Sequence, residues 1–374
     1  MCNTTIELIC GYLRPLTDKD SEMIENMNYW FDGVVGISIV LIGLIMNTIA
    51  CVVLLTNKSM KQLIYHLLSA LFIINNVFLF TQLINKLHYD FKYQALIFLI
   101  PYLIYPIEKS SISATVFCIV SLAHQSYRMA YDPEKYRRIY SLNTLRKKHA
   151  KSYILSSLTL AFIINIPRWF SYKVVFQNAT TSENEYKIVH THMKSKFEYV
   201  VFYENFVLHI LTLIAPMTLL VFYNWSAHNM IQDRQLELSR LSSIYKVGRS
   251  ESKEYADQWK RIKIQIKSTA LNKEVRHILI VIIFIFIICH LPRCFTKFYD
   301  GMYTPYILKV FQYGQRFLLI LYAASTPIVY IRGNKKFWKH LTELIYKLSS
   351  GKISMRKYQS GPNVIVPLGH ENSK

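Results

Sequence analysis

The stretch Phe317-Leu-Leu-Ile-Leu-Tyr-Ala-Ala-Ser-Thr-Pro327-Ile-Val-Tyr330 sets a proline deep inside an apolar run. The stretch His277-Ile-Leu-Ile-Val-Ile-Ile-Phe-Ile-Phe-Ile-Ile-Cys289-His290-Leu291 runs straight into a second, Pro292. In a soluble helix an interior proline removes a backbone hydrogen bond and costs about 3 kcal/mol or more. A membrane helix tolerates one, because neighbouring helices and side chains satisfy the freed carbonyl. Each proline is a point about which its helix bends, so the pair predicts a membrane protein whose helices move.

The rest of the chain reads the same way. Its 374 residues are 52% hydrophobic with positive mean hydropathy, which suits a helical membrane protein better than a soluble one. Residues 33–55 run for 23 positions without a charge, and a bilayer core needs about 20. Comparable runs cover 63–84, 94–127, 152–170, 199–225, 277–299 and 306–331, of which 152–170 has the shortest firmly apolar stretch. No segment alternates with a period of two over strand lengths, which argues against a barrel. The prediction is an all-α integral membrane protein: an N-terminal segment 1–32, a seven-transmembrane-helix bundle 33–331, a short amphipathic eighth helix 332–346 and a disordered tail 347–374.

A net charge of +21 first suggests nucleic acid. Its distribution argues for topology instead. With the N-terminus outside, the loops 56–62, 128–151 and 226–276 and the tail 332–374 lie inside, and these hold 30 of the 44 Lys and Arg. They hold only 10 of the 23 acidic residues. An excess of Lys and Arg on the cytoplasmic side sets membrane orientation, so no nucleic-acid partner is expected. The loop 226–276 is long and weighs less in that count. The sequons Asn3-Thr-Thr and Asn178-Ala-Thr both fall outside in this arrangement, where glycosylation occurs. Asn57-Lys-Ser falls inside and Asn224-Trp-Ser within a helix, so neither is an expected acceptor.

The N-terminus lacks the basic start and long apolar core of a signal peptide, so the first span is expected to insert as an uncleaved anchor. The six cysteines form no framework: Cys51, Cys118 and Cys289 lie in spans, Cys294 lies near a span end, and Cys2 and Cys10 alone lie clearly outside. No zinc spacing, nucleotide loop, hydrolase elbow or transporter-type repeat occurs. No enzyme activity, cofactor or metal is therefore expected.

Several short motifs carry a resemblance. Ser325-Thr326-Pro327-Ile-Val-Tyr330 resembles the Asn-Pro-x-x-Tyr switch of rhodopsin-like G-protein-coupled receptors, and Phe286-Ile-Ile-Cys289-His290-Leu291-Pro292 resembles their Phe-x-x-Cys-Trp-x-Pro hinge. Pro216 fits the proline of span five, and Gly43 and Asn47 fit span one. Asn334-Lys-Lys-Phe337-Trp-Lys-His-Leu341 resembles the family's amphipathic helix on the inner leaflet, with Phe337 and Leu341 expected to face lipid and the lysines headgroups. Asn165-Ile-Pro-Arg-Trp-Phe170, Cys289-His-Leu-Pro-Arg293 and His124-Gln125-Ser126-Tyr127 with Pro133 are similar to invertebrate neuropeptide receptors of the FMRFamide type and related nematode orphan receptors. The resemblance covers residues 33–341. It implies a plasma-membrane receptor, N-terminus outside, that binds an extracellular peptide and signals to a heterotrimeric G protein, with arrestin and kinases as further partners and lipid around it.

The departures are as informative. Ser126, in Gln125-Ser126-Tyr127, stands where the family has the arginine that meets the G protein. Asn75 stands where it has a span-two aspartate, so the sodium site lacks its anionic ligand. Thr326 replaces asparagine and His290 replaces tryptophan. Pro101 takes the position of a disulfide cysteine, and residues 171–199 contain no cysteine to pair with it. Activation is then unconventional, or coupling is weak or lost.

Ionisable residues within spans are expensive and face the bundle interior or water. Glu108, with Lys109 beside it, is the candidate partner of a cationic ligand group such as the arginine of an Arg-Phe-amide peptide; a structural ion pair with Arg316 is the competing reading. Arg293 and Lys297 either meet the peptide or snorkel to headgroups. Arg316 lies deeper and is a further ligand candidate. His290, Pro292, Pro327, Tyr330, Ser126 and Tyr127 form the expected switch. Asn47, Asn75 and Thr326 are expected to make interhelical hydrogen bonds, each worth under about 2 kcal/mol. The same fold also suits a chemosensory receptor for a small molecule, or a receptor-like protein with no G-protein coupling. A channel or transporter, as in a group of inverted topology, is the rival from another class, and glycosylation of Asn3 and Asn178 separates it.

Overall fold

The computed structural model describes residues 18–56, 62–91, 97–177, 185–196, 198–247, 277–292 and 305–349. In chain order these form α1 (Asp18–Thr56), α2 (Leu63–Phe91), α3 (Ile100–Tyr131), α4 (Pro133–Ser141) and α5 (Asn143–Phe170). Next comes an antiparallel hairpin, β1 (Tyr172–Gln177) with β2 (Glu185–His190), paired from Tyr172 opposite His190 to Gln177 opposite Glu185. Then come α6 (His192–Ser195), α7 (199–247), α8 (His277–His290), α9 (Pro305–Gly333) and α10 (Lys335–Ser349).

Among the described residues five helices are long and apolar enough to cross a membrane: α1, α2 over Leu63–Leu87, α3, α5, and α7 over Ile210–Ser243. The chain is an all-α, multi-pass membrane protein. α8 is short over its described residues, and α9 runs for 29 residues with polar side chains such as Gln315, Arg316 and Thr326 along it. Helices outrun the apolar stretches that announce them. α1 begins at Asp18, inside the expected N-terminal segment; α5 begins at Asn143, and α7 continues to residue 247. Lys, Arg, Glu and Gln are good helix formers, so a helix continues past the apolar core, and Asp18 and Asp20 suit the positive end of the α1 dipole.

α3 is the axis of the bundle, packed on α2, α5 and α7, while α1 packs on α2 and α9. Lipid offers no hydrophobic drive between helices, so close contact and polar ties must hold them together. Gly43 supplies the contact. A Cβ there would sit 2.8 Å from both Ala324 Cβ and Leu79 Cδ1, so only glycine lets α1, α2 and α9 meet. Gly333 does the same for α9 and α8: a Cβ would lie 2.6 Å from Ile278 Cγ1.

Three irregular helical turns adjoin prolines. The π segment Ile100–Ile104 contains Pro101 and precedes Pro106, the π segment Ile210–Ile214 precedes Pro216, and the 3-10 turn Ile166–Phe170 contains Pro167. A missing N–H shifts the local hydrogen-bond register in each case. α4 starts cleanly because Asp132 Oδ1 accepts from Lys135 N at 2.9 Å with Pro133 at the first helical position.

α10 corrects one expectation. Asn334 Oδ1 accepts from Phe337 N at 3.1 Å, a cap that turns Phe337 inward. Phe337 is 0% exposed, and Leu341 packs on the same core. The pair faces the bundle rather than lipid; Trp338 and Tyr346 are the exposed aromatics of the helix. α10 also continues to Ser349, past the expected end at 346.

Candidate functional site

At the hairpin end of the bundle, α2, α3, α5, α7 and α9 converge on a polar cluster. Glu108 is buried at its centre. Its Oε2 accepts from Asn85 Nδ2 at 2.9 Å and its Oε1 from Lys109 Nζ at 2.6 Å, with Arg316 of α9 in electrostatic range. The structure thus brings Glu108 and Arg316 together, but Lys109 is the cation in contact. Lys109 Nζ also lies 5.0 Å from the centre of the Tyr105 ring.

An aromatic wall continues from there to the hairpin. Tyr105 and Tyr172 rings lie 4.6 Å apart, and Tyr172 and His190 rings 4.8 Å apart. Lys194 Nζ donates to Tyr172 Oη at 2.7 Å. Burial, and next the Lys194 ammonium, hold His190 below its usual range. The base of the hairpin is fastened without a disulfide. Thr191 Oγ1 donates to the Phe170 carbonyl at 2.6 Å, Thr191 N donates to the Ser171 carbonyl at 3.0 Å, and the Ser171 and Tyr199 hydroxyls bond at 2.6 Å. Close by lies Arg168, a residue whose position in a span-ending motif gave no hint of a site. It is 6% exposed and donates from Nη1 to Asn165 Oδ1 at 3.2 Å.

Midway along the bundle the proline chemistry becomes visible. Pro327 has no N–H, so the carbonyl four residues earlier, that of Ala323, loses its helical donor. Asn47 Nδ2, on α1, donates to that carbonyl at 3.0 Å and to its own Gly43 carbonyl at 2.8 Å. Asn75 Oδ1 accepts from Thr115 Oγ1 at 3.3 Å, joining α2 to α3. Thr326 bonds within its own helix, to the Tyr322 carbonyl at 2.7 Å, so its interhelical role does not appear. His290 lies tilted against Phe286, ring centres 4.1 Å apart, and meets Tyr322 edge-on at 5.7 Å. It therefore fills the hinge as a flat ring, two positions before Pro292. A cavity of about 10 Å³ among Asn75, Thr115, His290 and Tyr322 has room for one water.

At the opposite end Ser126 is buried and Tyr127 stands in an aromatic group with Tyr131, Phe222 and Tyr223. Arg128, two positions beyond Ser126, donates to Tyr140 Oη at 3.5 Å. On α4, burial pushes the Tyr136 phenol above its usual range. Tyr330 is buried against Phe72 and Phe337, and its hydroxyl accepts from Asn334 Nδ2 at 2.9 Å. The structure therefore separates the candidates into three levels: Glu108 and Arg316 by the hairpin; Asn47, Asn75, His290, Pro292, Thr326 and Pro327 midway; Ser126, Tyr127 and Tyr330 at the far end. Arg293, Lys297, Asn3 and Asn178 lie outside the described residues.

An apolar groove of about 1040 Å³ lies elsewhere, between α2, α3 and α5. It is lined by exposed apolar side chains such as Ile73, Val77, Leu158 and Phe162 and holds none of the candidates. No protein-family model matches this chain, and no curated protein matches it.

Proposed function

We propose that the chain is a seven-span receptor of the rhodopsin-like class, with α8 and α9 as spans six and seven, that binds an extracellular ligand on its hairpin side. The ligand class favoured by resemblance is a neuropeptide of the amidated, FMRFamide-like kind. The protein then sits in the plasma membrane with Asn3 and Asn178 outside as glycan acceptors. Agonist binding shifts the balance between two packings of the bundle, with bending at Pro292 and Pro327 and a G protein meeting the α4 end; arrestin and kinases would meet the same end.

The observation that carries this reading is the pairing of Asn47 with the carbonyl freed by Pro327. It makes the proline a built feature of the bundle, held by a partner helix on one side and unconstrained by that partner on the other. The clustered Phe286, His290 and Tyr322 rings beside the second proline support it. A second reading, a receptor-shaped protein that couples weakly or not at all, is favoured by the far end. There Ser126 is buried, and the nearby Arg128 is bound to Tyr140.

The test is G-protein recruitment in cells expressing the full chain, challenged with a pool of amidated peptides including Arg-Phe-amide endings, with Ser126→Arg beside it. A dose-dependent response of the native chain supports the receptor. A response of the variant alone supports the weakly coupled reading. Silence of both, with surface expression confirmed, overturns the peptide assignment.

A further inference from the structure

Arg168 is a buried cation that no carboxylate among the described residues neutralises. At 6% exposure it is nearly sealed from the surface. Its guanidinium carries five N–H donors in a rigid fork. Among the described residues it makes one hydrogen bond, from Nη1 to the Asn165 side chain at 3.2 Å, while its Nε has no partner and no carboxylate pairs with it. Asn165 is itself fixed, donating to Ser113 Oγ at 2.9 Å and to the Ala161 carbonyl at 2.7 Å, so the arginine is held from below. A buried ionised group is costly unless paired, and one in a span marks a functional site by default.

The neighbours define what fits. Tyr105, Lys109, Tyr199 and Tyr203 all lie within electrostatic range of the guanidinium. The Lys109 charge is already matched by Glu108 at 2.6 Å. Arg316 lies in range of that pair as well, so Glu108 is already engaged by cations other than Arg168. The acid Glu204 lies in electrostatic range of Tyr199, Tyr203 and His190. The side chain of Lys109 keeps 25% exposure, so the cluster is not closed on that side. A planar carboxylate matches the fork geometry of the guanidinium.

We propose that Arg168 is an anion-binding centre on the hairpin side, and that the ligand presents one carboxylate to it, from an acidic side chain or an organic acid. This rests on the receptor reading, which assigns the hairpin side to the outside, and it moves the charge expectation from a cation at Glu108 to an anion at Arg168.

The experiment is thermal unfolding of the full chain purified in lipid nanodiscs, with 4-phenylbutyrate as probe, 4-phenylbutyramide as its uncharged counterpart and sodium chloride as the inorganic arm. The carboxylate is expected to raise the midpoint by about 2–4 °C at saturation and the amide to leave it unchanged. Arg168→Gln is expected to abolish the shift, and Arg168→Lys to retain part of it. Equal shifts from acid and amide, an unchanged shift in Arg168→Gln, or a full shift from chloride with nothing added by the carboxylate would each overturn the proposal. If Arg168→Gln does not fold, the acid-against-amide comparison on the native chain decides alone. The readout needs no transducer, so its failure and the failure of peptide-driven recruitment are separate results.

Discussion

Replacing Asn47 tests whether the freed carbonyl of Ala323 is what this side chain serves. Asn47→Leu keeps the side chain of comparable size, so its effect is not that of a cavity. It removes one interhelical bond, worth about 0.6 kcal/mol on average and up to about 1.7 in membrane proteins. It also leaves the Ala323 carbonyl buried without a donor, a penalty of about 1–3 kcal/mol. Together these predict a loss of about 2 kcal/mol. In a Pro327→Ala background the restored N–H of residue 327 supplies the donor, and the same Asn47→Leu change then costs only the lost side-chain bond, about 0.6 kcal/mol. The two substitutions should therefore couple by about 1.4 kcal/mol, a factor of about ten in the unfolding equilibrium. Titrating the four proteins of the cycle with SDS in mixed micelles, read by circular dichroism, measures this. Additive effects within about 0.3 kcal/mol would refute the assignment of Asn47 to the proline-freed carbonyl.

Two further predictions concern the packing around that centre. Asn334→Ala removes both the cap on Phe337 N and the donor to Tyr330 Oη. It should cost about 1 kcal/mol and raise hydrogen exchange in α10 while leaving α1 to α3 unchanged. Gly43→Val places a branched side chain where a Cβ already comes within 2.8 Å of two neighbours, so overpacking of about 1–3 kcal/mol is expected. A detergent melting temperature equal to that of the native chain would show that the three helices do not meet there.

Much of the bundle was legible because a lipid-spanning helix needs a long apolar run and an interior proline needs a partner. The arithmetic of four residues names the Ala323 carbonyl, yet nothing in the sequence names Asn47 as its donor, since the two are 276 positions apart. Lys109 was visible beside Glu108, but successive residues on a helix do not face each other, so a long flexible side chain reaching back was hidden. Arg168 read as one more cation at a span end. Its burial arises from tertiary packing at the base of the hairpin, where Thr191 and Ser171 make bonds that carry no signal of their own in the sequence. Phe337 and Leu341 marked the apolar stripe of α10 correctly, but a stripe does not say whether lipid or protein meets it; the Asn334 cap decides.

α9 touches all three levels, and its ties are uneven. Arg316 lies by Glu108, Ala323 is held by Asn47, and Tyr330 rests against Phe72, Phe337 and Asn334. The Asn47 bond grips the helix one turn before Pro327, on the hairpin side of the bend. A change of angle at Pro327 therefore leaves that bond intact and moves only the residues from Ile328 to Gly333. Tyr330 ties that last stretch down through two edge-on ring contacts of about 0.5–1.5 kcal/mol each and a hydrogen bond of about 1 kcal/mol, so roughly 2–4 kcal/mol in all. Carrying a two-state population from 1:99 to 99:1 takes about 5.5 kcal/mol of differential affinity. A ligand charge settling on a buried, unmatched arginine supplies an interaction of the right order, provided the two packings present that arginine differently. On the receptor reading, then, the part of α9 beyond Pro327 is the soft element, and the part before it is the fixed post against which the hairpin-side cluster works.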